Sequence, residues 1–275
     1  MLRHTLCFLL LVGMFAVDGV FSRQLSVNSR NQVNYKGDDD FDYLLFVQRW
    51  PASVCVDGHV TGSEKCAFPS GMSPTDWILH GLWPSKYNST GPEDCSKTPF
   101  NPDPVQPILQ DLEQYWPNLE TNTQPDSFWA HEWTKHGTCA QSLPSLAGEF
   151  NYFNRPLQFR KQYNLYTALQ AQNIAPSASK TYSHDEVVTA LQKEFNEPIG
   201  VYCTYSKDTK KHYVAEIRFC MTKDLALMAC PESGHHLRET SSCPKGESLF
   251  YPPLPSTGRQ VPSRSASRRK NTGKQ

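Results

Sequence analysis

No C-x-x-C pair occurs in this 275-residue chain, although it carries nine cysteines. That absence removes the zinc ribbon and the thioredoxin-like redox motif. No apolar run is long enough to span a bilayer comfortably, and none after residue 22 is apolar enough to serve as an anchor. No internal repeat is visible. Net charge is also missing, with 27 Lys and Arg against 27 Asp and Glu. The balance hides an asymmetry. Six of the basic residues lie in the tail from Gly258 to Gln275, which has no acid. One basic and one acidic residue fall in the first 22, leaving 20 basic against 26 acidic residues in the body. A mildly acidic body argues against non-specific nucleic-acid binding through a broad basic face.

What is present points to export. Arg3 and His4 precede the apolar run LCFLLLVGMFAV and then small, turn-prone residues. This is the pattern of a secretory signal over residues 1–22, cleaved near Ser22. Cys7 would leave with it. The remaining eight cysteines, an even number in an exported chain, suggest four disulfides. Asn88-Ser89-Thr90 is a glycosylation sequon, relevant once the chain enters the secretory pathway. Residues 23–40 are polar, end in DDD and read as a flexible lead-in. The Ser/Arg/Pro-rich tail, 255–275, cannot bury a core and is expected to be disordered.

Between those ends, FDYLLFVQRW (41–50) reads as a buried strand, and DWILHGLWP (76–84) as a second that ends near His80, before Gly81 and Pro84. Residues 84–107 carry six prolines and read as a long loop. Val105, Ile108, Leu109 and Leu112 follow helical spacing up to Tyr115-Trp116. A second helix opens at Asp126 or Ser127 and closes with Gly137 as its C′ residue. A third spans about 156–172. A fourth starts at the capping box Ser183–Glu186, with Val187, Val188, Leu191 and Phe195 facing inward. PIGVYCTY, HYVAEIRFCM and LFYPP then read as strands. Helices in the middle and strands at both ends imply one α+β domain, with a central, mainly antiparallel sheet and several packed helices.

The chemistry concentrates in HEWTKHGTCA (131–140). It misses the zinc-peptidase pattern H-E-x-x-H: His131 and His136 are five apart, so on a helix they diverge by roughly 140°. Lys135 stands where a second ligand would be, and a cation there would repel zinc. Glu132 and His136, four apart, can pair, as can His131 and Lys135. An ordinary solvated helix face fits the same spacing. WILHGLWPS supplies His80 and Trp83. A histidine ending a strand is more often a hydrogen-bonded core residue than a catalyst, and the tryptophan serves equally as core packing. A histidine beside a stacking ring, however, suits a nucleotide.

WILHGLWP and FWAHEWTKHGTC, in that order and about fifty residues apart, resemble the two active-site segments of the T2 family of secreted acid ribonucleases, closest to its animal members. The resemblance runs from FDYLLFVQRWP to LFYPP, so residues 41–254 are expected to form a T2-type domain. It implies metal-free, cofactor-free endonucleolytic cleavage of single-stranded RNA through a 2′,3′-cyclic phosphate to 3′-phosphate ends, with an acidic optimum. His136 would be the base and His80 the acid, or the reverse. Glu132 and Lys135 would stabilise the phosphorane, and His131 would bind phosphate. Trp83, Tyr87 and Phe128 would contact bases. Many relatives have an acidic residue where this chain has Ser85, and glutamine where it has Arg49; the adjacent Gln48 is then the expected base contact. The family pattern pairs Cys55–Cys66, Cys95–Cys139, Cys203–Cys243 and Cys220–Cys230, whereas spacing alone allows 105 pairings. The expected partner is RNA, not DNA, with the enzyme a monomer in the secreted, lysosomal or vacuolar lumen. A non-catalytic, RNA-binding relative would be expected to lack His80 or His136; both are present.

Overall fold

The first apolar run forms β1 (Tyr43–Arg49), buried along its whole length. Leu44 and Phe46 enter the main core, whereas Tyr43, Leu45 and Val47 pack with Trp83 and Cys220 on the opposite face. This is the period-two alternation of a strand covered on both sides. The computed structural model describes residues 41–56, 66–121, 123–231, 243–254 and 260–261. The expected signal, the lead-in and most of the tail lie outside the described residues.

α1 (Pro51–Val54), β2 (Phe68–Pro69) and β3 (Ile78–Ser85) follow. β3 does not stop near His80, as the Gly81 and Pro84 punctuation suggested. Val47 pairs with Gly81 and Gln48 with Leu79, so His80 is an extra residue in the ladder and the strand continues beyond it. A bulge re-aims a side chain without ending the strand. β3 is also the edge strand of its sheet, where a proline is tolerated.

The helical layer comprises α2 (Leu109–Tyr115), α3 (Ser127–Lys135), α4 (Gly148–Gln162), α5 (Leu165–Gln170) and α6 (His184–Phe195). The third helix expected over 156–172 is two helices, α4 and α5. Pro156 lies inside α4, at the cost of the bond to the carbonyl four residues back. Asn164 then caps α5 by accepting from the Thr167 N–H. The capping box of α6 forms as expected, and Asn196 ends it with φ 58°. Gly137 is not a left-handed C′ residue: it opens a 3-10 turn, Gly137–Ala140. Its reason is space, since a Cβ there would meet a Trp133 ring carbon at 2.5 Å and Tyr152 at 3.0 Å.

The sheet is completed by β4 (Thr181–Tyr182), β5 (Gly200–Ser206), β6 (Lys211–Met221), β7 (Leu227–Met228) and β8 (Leu249–Phe250). Its order is β3-β1-β6-β8-β4, with β5 and β7 also on β6, and every pairing but β6–β8 is antiparallel. Helix residues such as Leu112, Trp129, Phe153 and Leu191 bury one sheet face through Phe46, Ile217 and Phe219. The α+β class is therefore as expected, and the four disulfides join the pairs that the family resemblance implied. Among the described residues no helix is long and apolar enough to cross a membrane. Of the expected tail only Gln260–Val261 is described, and it pairs in parallel with β2 as β9.

Candidate active site

α3 and the edge of the sheet meet at one indole. Trp83, on β3 and only 8% exposed, donates from Nε1 to Glu132 Oε2 at 2.9 Å. The His136 ring stacks on it at 5.1 Å between centroids, and the His80 ring meets it edge-on at 4.8 Å. The two imidazoles are therefore no farther apart than the sum of those distances. Gly81 makes the arrangement possible. A Cβ at that position would fall on the Trp83 Nε1 and Glu132 Oε2 atoms that form the hydrogen bond.

The helix side is held from its C-terminal end. Cys139 is bonded to Cys95, the Asp94 N–H donates to the Lys135 carbonyl at 2.9 Å, and Lys135 Nζ lies 3.3 Å from Glu93. The proline-rich loop is thus tied to the segment that carries the motif. Glu132 and His136, four apart, are both buried, whereas His131 is exposed. The divergence of the two histidines expected from their spacing is what the helix produces. Glu132 and His136 share a neighbour, since both pack on Trp83. Burial pushes the Glu132 carboxyl up to about 8, against the opposing pull of the Trp83 hydrogen bond, Arg49 and Lys135. Partial burial and then Lys135 lower the His131 imidazole.

The sheet side is assembled from distant residues. His80 Nδ1 lies 2.5 Å from Glu216 Oε1 on β6, with 27% of the His80 side chain exposed. Arg218 donates from Nη2 and Nε to the other oxygen, Glu216 Oε2, at 2.8 and 3.1 Å. Its guanidinium also lies over the rings of Trp83 and Tyr202. Burial, reinforced by Arg49 and Arg218, lowers the His80 imidazole although Glu216 opposes it. Burial alone would raise the Glu216 carboxyl, but His80 and Arg218 outweigh it and hold the group well below the usual carboxylate range. The backbone is fixed too: Trp116 Nε1 donates to the His80 carbonyl at 3.0 Å, and Trp129 Nε1 on α3 donates to the Trp116 carbonyl at 2.6 Å.

His80, Glu132 and His136 are thus gathered about Trp83, with Lys135 and His131 on the same helix. The residues expected to contact bases divide. Tyr87 is exposed and stacks on Tyr43 at 5.3 Å, and Phe128 is half-buried beside His80. Trp83 is not an open platform, because His136 and Arg218 cover its ring. Gln48 is not brought to the cleft: it is buried and donates to the Tyr163 carbonyl at 2.9 Å. The one-residue step along β1 explains the difference. Arg49, pointing the other way, places its guanidinium 4.5 Å over the Phe128 ring, and burial lowers its pKa to about 10 without discharging it near neutrality. Asn88 is exposed on the loop after β3. Glu216 and Arg218 lie outside both motifs. Their signal is two charges, two apart, in the otherwise apolar run from Tyr213 to Met221.

Two imidazoles, a carboxyl that burial pushes toward its neutral form and a nearby lysine are groups able to do general acid–base chemistry. Residues 41–230 match the family model described as the ribonuclease T2 family. The chain is 39% identical over 218 residues to ribonuclease Oy of Magallana gigas, covering 78% of this chain and 98% of that one. It is 35% identical over 214 residues to ribonuclease T2 of Sus scrofa, covering 76% and 96%. It also superposes on the crystal structure of RNase NT in complex with 5′-AMP, with a TM-score of 0.66, 28% identity, and coverage of 78% and 100%. The chain belongs to the ribonuclease T2 family. Within that family it is a T2-type endoribonuclease, similar to the animal enzymes.

Proposed function

We propose that the chain cleaves single-stranded RNA by acid–base transphosphorylation at the cleft around Trp83. The observation that carries the reading is the pair of imidazoles on one indole, with Glu132 hydrogen-bonded to the same ring. The nucleotide bound in the RNase NT structure supports it by likeness. His136 takes the proton of a 2′-hydroxyl, whose oxygen attacks the adjacent phosphorus. The bond from phosphorus to the 5′-oxygen breaks, and His80 gives that oxygen a proton. A 2′,3′-cyclic phosphate remains. In a second step water attacks it with the proton roles exchanged, leaving a 3′-phosphate.

Charge on the phosphorane is met by Lys135 and Glu132, and His131 holds a flanking phosphate. A carboxyl raised to about 8 is largely protonated at acid pH. In that form it donates a hydrogen bond to a developing oxyanion, whereas a carboxylate would repel it. His80 must be protonated to act as the acid. With its pKa below the ordinary histidine value, the protonated fraction grows as pH falls, which favours an acidic optimum. DNA lacks the attacking hydroxyl and is not a substrate. Tyr87 and Phe128 offer aromatic surface to bases. We assign residues 41–254 to the catalytic domain and residues 1–22 to an export signal. Secretion or delivery to an acidic lumen suits both the disulfides and the chemistry.

The test is incubation of the purified protein with single-stranded RNA near pH 5, with and without EDTA, beside His80→Ala and His136→Ala. Cleavage that survives EDTA and is lost in both variants is expected. Full activity in either variant overturns the assignment, and binding without cleavage marks a non-catalytic RNA-binding member.

A further inference from the structure

Both members of the short contact between His80 and Glu216 sit at irregularities of the sheet. His80 is the extra residue of β3. On β6, Tyr202 pairs with Glu216 and Cys203 with Val214, so Ala215 is the extra residue beside Glu216. Val214, Ile217 and Phe219 all face the main core. A strict two-residue alternation could not place both Val214 and Ile217 there, and the bulge at Ala215 resets it. Glu216 and Arg218 therefore fall on the cleft face, with Cys220 two residues further on. Two bulges on different strands are spent on a single carboxylate–imidazole contact, a pattern typical of sheet positions that re-aim side chains for a site.

The carboxylate divides its two oxygens. Oε2 accepts both Arg218 bonds, and Oε1 meets His80 Nδ1. Arg218, 7% exposed, is fixed in turn between Trp83 and Tyr202. Glu216 is thus held by a planar fork and is not a surface acid drifting past a histidine. We propose that Glu216 is a positioning residue of the reaction: held by Arg218, it fixes the His80 imidazole with its Nδ1–H toward β6, leaving Nε2 to exchange the proton with the substrate. The inference rests on the reading of His80 as a proton-transfer residue. It adds a residue that neither motif contains, 136 positions away in sequence.

The charge of Glu216 matters as well as its shape. The charged groups around His80 are Glu216 and Arg218 from β6 and Arg49 from β1. Glu132 of α3 lies across Trp83, with His136 stacked on that ring, and Phe128 of α3 contributes only an aromatic ring. Two cations and burial oppose the imidazolium, and Glu216 is the carboxylate that hydrogen-bonds it. Removing its charge leaves the cations unopposed at that nitrogen. A neighbouring opposite charge at this range moves a titration by roughly 1–3 units.

The decisive experiment is nitrogen-15 NMR titration of the His80 ring in the whole protein, its signal assigned with His80→Ala, alongside pH profiles of kcat/KM on RNA. Glu216→Gln keeps the shape and an acceptor for Nδ1–H but removes the charge; Glu216→Ala removes both. In the parent, neutral His80 is expected to be the Nδ1–H tautomer. In Glu216→Gln that tautomer persists while the His80 pKa falls by about one unit or more, and the alkaline limb of the kcat/KM profile moves down by the same amount. In Glu216→Ala the tautomer becomes mixed and kcat drops further, about 10-fold or more, with KM little changed. An unchanged tautomer and pKa in folded Glu216→Gln and Glu216→Ala overturn the inference. If Glu216→Ala does not fold, the Glu216→Gln pKa alone decides. Because the NMR readout needs no turnover, it separates failure of this inference from failure of the ribonuclease reading, which an inactive parent protein would show.

Discussion

The two halves of the cleft are built in opposite ways. The helix half is local: His131, Glu132, Lys135 and His136 lie within six consecutive residues, and α3 alone decides which are buried and which exposed. The sheet half is collected from β1, β3 and β6, and its central contact spans 136 residues. A helix places a motif by its period. A sheet places one by register, and here only after two bulges. Trp83 belongs to both halves, through its hydrogen bond to Glu132 and its edge contact with His80.

If the halves act as acid and base of one reaction, breaking either should cost the same. His80→Ala and His136→Ala are each expected to lower kcat/KM by about 10²–10⁴. The double variant should be scarcely worse than either single one. Steady-state kinetics on a dinucleotide substrate measure this; additive losses would mean that the halves work independently. Next in size is the anchoring of the helix half. Replacing Cys95 and Cys139 together by serine should cost roughly 2–5 kcal/mol in denaturant unfolding. It should also reduce activity more than its effect on the sheet half would suggest, because the Lys135 segment loses its tether.

A smaller change sharpens the link between them. Trp83→Phe keeps a ring between the imidazoles but removes the donor to Glu132. The expected loss is about 1–3 kcal/mol of stability, with the His80 tautomer unchanged by NMR. The last effect is read as a slope with pH, not as a single loss. Glu132, raised to about 8 in the folded state, binds its proton more tightly folded than unfolded. Its contribution to stability is full below its ordinary value near 4.5 and is lost as pH rises through about 8. Between those limits the parent should lose at most about 1.4 kcal/mol per pH unit relative to Glu132→Gln. Thermal unfolding of both proteins from pH 4 to pH 9 reads the difference; parallel curves would contradict it.

The same contrast explains what the sequence disclosed. HEWTKH was legible because helical spacing is fixed, so the divergence of His131 and His136 followed from counting. The capping box at Ser183 and the buried strand at 43–49 were legible for similar local reasons. Gly81 and Pro84 were misread as a stop, since punctuation does not distinguish a strand end from a bulge on an edge strand. Gln48 and Arg49 lie on opposite faces of β1, and only register shows which reaches the cleft. Glu216 was hidden because the bulge at Ala215 breaks the alternation by which its face would have been read. The split of the expected 156–172 helix, with Pro156 inside the longer piece, shows tertiary packing overriding a local breaker.

The first product of cleavage tests the proposed chemistry most directly. A short RNA with one scissile linkage, treated with the protein near pH 5 in EDTA and followed by phosphorus-31 NMR, should give a 2′,3′-cyclic phosphate before any 3′-phosphate. The same oligomer with a 2′-deoxy sugar before that linkage should stay intact. A 5′-phosphate product, or cleavage of the 2′-deoxy oligomer, would contradict attack by the 2′-hydroxyl between His136 and His80.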